Sequence, residues 1–350
     1  MSVLFFDPRC PESYSARTFG QSALGGTEAT TIRVAEALDA VVVQHNRIEA
    51  DGRYRPPGAC GGIRHVVVLQ DPQSIAQLRE TYPRARFYLW VHNGITPGSK
   101  RGRLLVAAAS LLCDLEVTIV CVSSYQRADV EATLEGLQRR ERISTRTIYN
   151  AVDDQLVPDG SPVDPSKLIF FSSPDRGLAY TLDAFQALRR RMPDLRLQVG
   201  NPGYKHRQFA PVEGVEWLGS LPYTRIIPAV RTALCTFTAN FSPETFGLVY
   251  AESKAVGTPV LAHDVGAATE VLNDPALVLP VTRLQRLYED LAIRHWRPRL
   301  LMRLADRIGV FDAYAERISA WRAGARPRVG PDPRFSLTTV AEQWRSMLSD

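Results

Sequence analysis

The chain has 350 residues, of which 45% are hydrophobic and 23% are charged, an ordinary composition for a globular protein. This length is sufficient for two domains, each with its own core. The formal net charge of +5 is too modest to argue for a nucleic-acid partner, and we expect none. All apolar runs are shorter than the ~20 residues that a membrane-spanning helix requires, so we predict no membrane span.

Five scattered cysteines without a C-x-x-C pair predict neither a disulfide framework nor a structural zinc site, and we expect a cytoplasmic protein. The start, MSVLFFDPRCPES, lacks the basic and apolar regions of a signal peptide. Arginine greatly outnumbers lysine, a bias that a GC-rich genome explains. We interpret the basic stretches 297–303 and 322–334 as solvated faces, so peripheral membrane contact is not favoured.

The first half of the chain alternates short apolar runs with helical patterns. Because the runs are continuously apolar, they favour a parallel sheet that is covered on both faces. Strands are predicted at 3–6, 41–44, 65–69, 86–91, 117–122 and 146–149. Helices are predicted at 26–38, 74–80, 103–114 and 124–140.

The stretch 153–166, rich in Pro, Asp and Ser, predicts a linker, and the same alternation restarts after it. Strands are predicted at 167–171, 195–199, 234–238, 259–262 and 276–279, and helices at 180–191, 223–233, 244–256 and 267–272. The tail beyond about 281 is predicted to be helical, and its last segment is amphipathic. Two β/α domains follow, with a ligand site in the cleft between them, because ligands bind beyond the carboxyl ends of parallel strands.

Three loops at predicted strand ends carry candidate site residues. Gly25 and Gly26 open a helix, where backbone amides can approach a phosphate or a sugar, although a plain tight turn fits the pair equally well. His92 ends a strand, which places it toward the cleft, although a lone histidine is more often structural than catalytic. Arg176 lies between a strand and a helix, where its guanidinium suits a phosphate; a surface arginine in a turn is the alternative.

The segment 242–262, SPETFGLVYAESKAVGTPVLA, predicts a helix that begins near Ser242 and ends near Gly257. Glu252 falls on its apolar stripe, where an unpaired carboxylate is costly, so Glu252 should reach a cleft or have hydrogen-bonding partners. On one helix, Glu244 and Glu252 would lie roughly 12 Å apart along the axis. That spacing excludes a shared acid/base role and suits two parts of one hydroxyl-rich ligand. A capping Glu244 and a salt-bridged Glu252 form the alternative interpretation.

Several motifs are absent from the sequence. It has no D-x-D, H-E-x-x-H, G-x-x-x-x-G-K-[ST] or G-x-S-x-G. Metal-dependent hydrolysis, P-loop chemistry and α/β-hydrolase chemistry therefore lose their main support, and no metal or other cofactor is expected.

The quoted residues, taken together and in order, resemble retaining GT-B glycosyltransferases of the GT4 type. The resemblance rests on the E-x7-E pair in 242–262, the early GGTE, the histidine of WVHN, IYNAVD before the linker and SSPDRGL after it. It implies an α/β protein with two Rossmann-like domains, 1–157 and 158–334, which face a deep cleft. The last helix, about 335–350, would cross back onto the first domain.

The resemblance also implies a function. A nucleotide-diphosphate sugar, UDP-linked by preference, would bind the second domain, and a small-molecule or oligosaccharide acceptor would bind the first. Glu252 would hold the ribose hydroxyls, and Glu244 would hold the donor sugar. Backbone groups next to Glu244 would hold the sugar and diphosphate; these residues are Thr245, Phe246, Gly247 and Leu248.

The remaining implied roles concern the reacting end of the donor. Gly25 and Gly26 would approach the diphosphate from the first domain, and His92 would lie at the donor sugar. Arg176 would neutralise the leaving diphosphate in place of a metal. The acceptor would attack on the same face, with the leaving phosphate oxygen assisting its deprotonation.

The sequence departs from the family in two places. SSPDR offers one cation where the family has an Arg and a Lys, so Lys205 is the candidate for the second charge. Gly266-Ala267 replaces a double glycine, which affects the seat of the donor sugar. The alternatives are a nucleotide-sugar epimerase, a sugar-phosphate synthase or a non-catalytic nucleotide-sugar-binding protein. For the acceptor, an orthosomycin-type antibiotic pathway and polysaccharide assembly stay open; the sequence gives no oligomeric state.

Overall fold

The computed structural model describes residues 2–58, 60–201, 209–294 and 299–349. Lys205 and part of the basic stretch 297–303 therefore lie outside the described residues. All five cysteines are within them, and each is free. In this part of the chain no helix combines the length and the apolar character needed to cross a bilayer.

The first sheet contains seven described strands, all paired in parallel, in the order β3-β2-β1-β4-β5-β6-β7. They are β1 Val3–Asp7, β2 Val41–Gln44, β3 Tyr54–Arg55, β4 His65–Leu69, β5 Arg86–Val91, β6 Thr118–Cys121 and β7 Ser144–Thr147. The helices that join them are α1 Gly26–Ala37, α2 Ser74–Thr81, α3 Lys100–Asp114 and α4 Ser124–Leu134. The central strands are almost entirely buried, which fits a sheet covered on both faces.

The second sheet contains six described strands, again all parallel, in the order β10-β9-β8-β11-β12-β13. They are β8 Asp164–Phe170, β9 Arg196–Asn201, β10 Val215–Ser220, β11 Ala233–Thr238, β12 Val260–His263 and β13 Val278–Leu279. Its helices are α5 Leu178–Arg191, α6 Tyr223–Arg231, α7 Leu248–Ala255 and α8 Ala268–Leu272. Both sheets thus follow the doubly wound Rossmann order, in which ligands bind where the strand order reverses.

The tail is helical, as predicted: α9 Arg283–Arg294, α10 Arg299–Arg307, α11 Asp312–Ala320 and α12 Leu337–Ser349. The structure also contains two strands that the sequence did not predict. β3 is only two residues long, and β10 lies at an edge with mostly exposed side chains, so neither has a strong apolar pattern. Helix α4 is shorter than predicted, because Glu135 adopts an extended conformation and ends it.

The last helix, α12, packs on the first sheet. Trp344 is fully buried, and its ring lies 5.6 Å from Phe5 and 4.9 Å from Trp90 between centroids. The chain leaves and re-enters this domain at adjacent points, because Val152 exchanges backbone hydrogen bonds with Phe335 and Leu337. The helix therefore crosses back to the first domain, as expected. The limits 157 and 158 of the two domains stay predictions.

The basic stretch 322–334 makes internal contacts. Arg322 pairs with Asp194, and Arg326 donates to the backbone oxygen of Leu234 at 2.8 Å. Arg334 pairs with Asp332 at 2.7 Å. Three arginines of the stretch are therefore bonded to protein groups. These contacts tie the stretch to the second domain.

Candidate functional site

A cleft with a volume of about 230 Å³ lies between the carboxyl ends of the two sheets. Every described residue of the predicted site lies on its wall: Gly25, Gly26, His92, Arg176, Glu244, Thr245, Phe246, Gly247, Leu248 and Glu252. Lys205, the candidate second cation, lies outside the described residues. Among the described wall residues, Arg176 is the only cation.

Glu244 lies in a loop and not on the helix that the sequence predicted. Helix α7 begins at Leu248, so the prediction of a helix over 244–256 is wrong at its start. The distance of roughly 12 Å, which assumed one continuous helix, therefore does not apply. Gly247 has a φ of 83°, in the left-handed region, and a Cβ added there would overlap the ring of Tyr250. Gly247 thus separates the loop that carries Glu244 from the helix that carries Glu252.

A long-range backbone pairing holds the Glu244 loop in place. Glu244 forms an isolated parallel bridge with Gly266, and its backbone oxygen accepts a hydrogen bond from the Ala267 nitrogen at 2.8 Å. Ser242, the predicted N-cap, instead donates its backbone N–H to the Asn240 side chain at 2.9 Å. The local capping signal was therefore overridden by contacts with the segment after β12.

Arg176 and Glu244 form an ion pair inside the cleft. Arg176 Nη1 lies 3.6 Å from Glu244 Oε2, and the two side chains are 36% and 13% exposed. Burial raises the pKa of Glu244, and the Arg176 charge opposes this rise. Gly177, with a φ of 84°, lets the loop that carries Arg176 pack closely against the end of β11, since a Cβ there would lie 2.7 Å from the backbone oxygen of Ala239. The predicted diphosphate cation and sugar carboxylate are thus already in contact.

Glu252 forms a buried ion pair with a residue of the first domain. Arg33 Nη2 on α1 donates to Glu252 Oε1 at 2.9 Å, and the two side chains are only 4% and 6% exposed. Arg33 Nη1 also donates to the backbone oxygen of Ala151 at 3.0 Å. The Arg33 guanidinium lies 5.3 Å from the ring centroid of Phe19 and 5.1 Å from that of Tyr223. Arg33 is therefore fixed from several sides.

The ion pair affects the ionisation of both groups. Burial raises the pKa of Glu252, and the charge and hydrogen bond of Arg33 oppose this effect. For Arg33, burial alone would lower the pKa, but the Glu252 carboxylate raises it. Glu252 thus lies on the cleft wall and is also salt-bridged, so the two interpretations of its sequence position are compatible. The sequence reasoning missed Arg33, although a charged residue among the small and apolar residues of α1 was a usable signal.

His92 contributes a neutral imidazole to the cleft wall. It is 8% exposed, and burial lowers its pKa to about 3. Its ring lies 4.4 Å from that of Trp90, and its Nε2 has no hydrogen-bond partner among the described residues. Thr245 Oγ1 donates to the His92 backbone oxygen at 2.6 Å, and Ser123 Oγ donates to the Thr245 backbone oxygen at 2.5 Å. The two sides of the cleft are thus joined next to His92.

Glu270 forms a further polar contact between the domains, which the sequence also did not predict. Its carboxylate accepts hydrogen bonds from the backbone nitrogens of Ser124 and Tyr125 at 2.8 and 3.0 Å. The Tyr149 hydroxyl donates to the same carboxylate at 2.8 Å. A carboxylate at the first turn of α4 is stabilised by the unpaired N–H groups there. Within the described ranges, no group of three or more His, Cys, Asp or Glu is placed to hold a metal ion.

The architecture is similar to that of two solved structures. The structure of Anabaena Alr3699/HepE in complex with UDP-glucose aligns over 100% of both chains, with a TM-score of 0.65 and 17% identity. AviGT4, a glycosyltransferase involved in avilamycin A biosynthesis, aligns over 100% of this chain and 97% of its own, with a TM-score of 0.60 and 14% identity. The fold is therefore GT-B, two Rossmann-like domains that face a cleft, as the sequence predicted.

Residues 166–292 match the family model described as Glycosyl transferases group 1. A phosphatidyl-myo-inositol mannosyltransferase from Mycobacterium leprae is 30% identical over 108 residues, which are 30% of this chain and 29% of that protein. The chain thus matches less than a third of the length of this relative. The part that matches the family model contains Arg176, Glu244 and Glu252, so the second domain carries the family likeness.

Proposed function

We propose that the protein is a retaining glycosyltransferase that moves a hexose or pentose from a UDP-linked sugar to a hydroxyl of its acceptor. The observation that carries this proposal is the meeting of Arg176, Glu244, Glu252 and His92 on one cleft between two Rossmann-like sheets. The group 1 family match over the second domain supports it. The UDP-glucose complex of a protein with the same fold supports the choice of UDP.

In this proposal, the donor binds with its ribose at Glu252 and its diphosphate near Arg176. The ribose hydroxyls donate to the Glu252 carboxylate, which lies on the cleft wall. The backbone amides at Gly247 and Leu248, at the start of α7, suit an anion because the first N–H groups of a helix lack partners. Glu244 faces the donor sugar, while Arg176 moves its charge from Glu244 to the phosphate oxygens.

The transfer breaks the bond between the anomeric carbon and the β-phosphate oxygen, and the acceptor oxygen bonds to that carbon on the same face. The acceptor proton passes to the leaving phosphate oxygen, so no protein base is required. Arg176 stabilises the charge that develops on the diphosphate, which is a larger effect in a water-excluded cleft than in solution. His92, neutral at physiological pH, is a hydrogen-bonding partner for a donor-sugar hydroxyl.

The acceptor in this proposal is a small molecule or an oligosaccharide, bound by the first domain in the cytoplasm. A natural-product pathway is supported by the fold likeness to AviGT4, which acts in avilamycin A biosynthesis. Polysaccharide assembly is the alternative. Purified natural-product intermediates and short oligosaccharides, each offered with the same donor, distinguish these two acceptor classes.

The experiment is a donor panel without acceptor, in which UDP-, GDP-, ADP- and TDP-linked sugars are tested for slow hydrolysis and for protection against melting. We expect UDP-sugars to give both signals. If every donor gives neither hydrolysis nor protection, that result contradicts the proposal. Analysis of the recovered sugar distinguishes a transferase from an epimerase, and turnover that Glu244→Ala abolishes excludes a non-catalytic binding protein.

A further inference from the structure

The ion pair between Arg33 and Glu252 joins residues that are 219 positions apart and belong to different domains. Both side chains are buried, and two charges removed from water are costly unless their geometry and hydrogen bonds compensate. Here Arg33 has two acceptors, the Glu252 carboxylate and the Ala151 backbone oxygen. A salt bridge that only stabilises the fold has no reason to lie at the cleft. In this pair, Glu252 is a residue of the cleft wall.

Only one oxygen of Glu252, Oε1, is used by Arg33. An ionised carboxylate has about four acceptor sites, so Glu252 keeps acceptor capacity beyond its contacts with Arg33 and Tyr223, while its orientation is fixed from the first domain. The rings of Phe19 and Tyr223, which stack on each other, both contact the guanidinium and limit its movement. An acceptor held in this way is preorganised for hydroxyl groups, because the ordering cost is met before the ligand arrives.

We propose that Arg33 is a positioning residue of the nucleotide site, which acts through Glu252 by orienting that carboxylate on the cleft wall. The inference rests on the proposed function, since it assigns Arg33 to the ribose end of the same donor site. Because Arg33 belongs to the first domain, nucleotide affinity depends on the contact between the domains, although the nucleotide itself binds the second domain.

The surroundings of Glu252 explain why its charge needs Arg33. The charged and titratable groups that act on it are Arg33 on α1, Tyr223 on α6 and Asp153 near the domain crossing. Arg33 is the only cation among these groups, and Asp153 disfavours the carboxylate. Without Arg33, burial would leave Glu252 more readily protonated, and a protonated carboxyl offers fewer acceptor sites to the ribose.

The test is the affinity for UDP, measured by calorimetry between pH 5.5 and 8 for wild type, Arg33→Lys and Arg33→Met. We expect Arg33→Met to bind UDP about tenfold more weakly, or worse, at the acidic end. Relative to wild type, its affinity should recover as the pH rises and Glu252 ionises. Arg33→Lys, which keeps the charge, should restore most of the affinity and remove the pH dependence of the ratio.

A second comparison covers the case in which Arg33→Met folds poorly because its buried Glu252 has lost its partner. Glu252→Gln and the double variant Arg33→Met/Glu252→Gln should bind UDP with equal weakness, because Arg33 acts only through Glu252. The double variant removes both buried charges, a change that proteins often tolerate. Arg53→Met is the matched control. It removes an arginine that pairs at 3.0 Å with Glu36, a residue of the helix that carries Arg33, and this pair lies outside the cleft. Its UDP affinity should equal that of wild type.

Three outcomes would overturn the inference. Unchanged affinity and pH dependence in Arg33→Met would show that Arg33 is purely structural. Tighter UDP binding by Arg33→Met would make Arg33 a competitor of the ribose. Weaker binding by the double variant than by Glu252→Gln would mean that Arg33 contacts the nucleotide itself. By contrast, a wild type that binds no UDP would contradict the proposed function.

Discussion

Arg176 and Glu244 lie 3.6 Å apart on the cleft wall, although their loops are supplied by different strand–helix units of the second domain. Gly177 and Gly247, both with left-handed φ values, terminate the two loops next to these charges. The loops are thus shaped by backbone conformation to bring a cation and a carboxylate together. In the proposed reaction the donor enters between them, and each charge then meets the part of the donor that it suits.

Arg176 is expected to be required for turnover more than for donor binding. Arg176→Met should lower kcat by about 10²–10³-fold, because it removes the charge that stabilises the leaving diphosphate. Arg176→Lys should recover only part of this loss, since lysine lacks the planar fork of arginine. Initial rates of UDP release test both variants. A kcat within twofold of wild type for Arg176→Met would contradict the role.

Gly247→Ala should destabilise the protein and reduce turnover. The left-handed backbone at Gly247 disfavours a side chain, and a Cβ there would also overlap the Tyr250 ring. We expect a loss of about 1–3 kcal/mol in the free energy of unfolding, measured by denaturant titration. Gly160→Ala is the matched control, since its φ is 77° and nothing lies within 4 Å of the added Cβ. Equal losses in the two variants would show that Tyr250 contributes nothing.

Glu270→Gln tests the polar contact between the domains. The substitution keeps the shape of the side chain but removes the charge that accepts from Ser124, Tyr125 and Tyr149. A loss of about 1–3 kcal/mol is expected, because hydrogen bonds to a charged group are stronger than neutral ones. Thermal unfolding measures the effect. Glu213→Gln is the control, because Glu213 is 89% exposed in its ion pair with Arg189 and a surface ion pair contributes little. A larger loss at Glu213 than at Glu270 would contradict the role of Glu270.

His92 should make stability depend on pH in the acidic range. Burial lowers its folded-state pKa from 6.5 to about 3, so the unfolded chain takes up a proton between these values and the folded protein does not. Stability is therefore present above pH 6.5 and is lost as the pH falls toward 3. This loss amounts to at most about 1.4 kcal/mol per pH unit for one group.

The check is the melting temperature of wild type and His92→Asn at pH 7 and pH 5. His263, whose pKa is lowered by burial to about 4, adds to the pH dependence of both proteins, so their difference isolates His92. We expect a smaller decrease between pH 7 and pH 5 in the variant. Identical decreases would mean that His92 is not held neutral.

Much of the fold follows from local patterns in the sequence. Continuous apolar runs such as 65–69 and 86–91 predicted buried parallel strands, and the structure has them at those residues. The edge strand β10, Val215–Ser220, was missed because its side chains are mostly exposed and its pairing is interrupted between Trp217 and Gly219. Because β10 is held mainly by its pairing with β9, its own sequence carries little sign of a strand.

The site shows the same division. Glu252, Glu244, Arg176 and His92 were named from their positions at strand and helix ends, and all four lie on one cleft. The predicted start of α7 was wrong. The capping signal at Ser242 is local, whereas the bridge between Glu244 and Gly266 joins distant parts of the chain. Arg33 was missed for a related reason: its position in α1 was a local signal, but its partner is in the other domain, and no local pattern identifies that partner.

The measurement that most directly tests the central claim compares UDP binding and UDP release from UDP-glucose for wild type, Glu252→Gln and Glu244→Gln. We expect Glu252→Gln to weaken UDP binding by about tenfold or more. Glu244→Gln should bind UDP normally but release it from the donor about 10²-fold more slowly. Equal and negligible effects of the two substitutions, in a protein that binds and turns over UDP-glucose, would contradict the assignment of this cleft as the donor site.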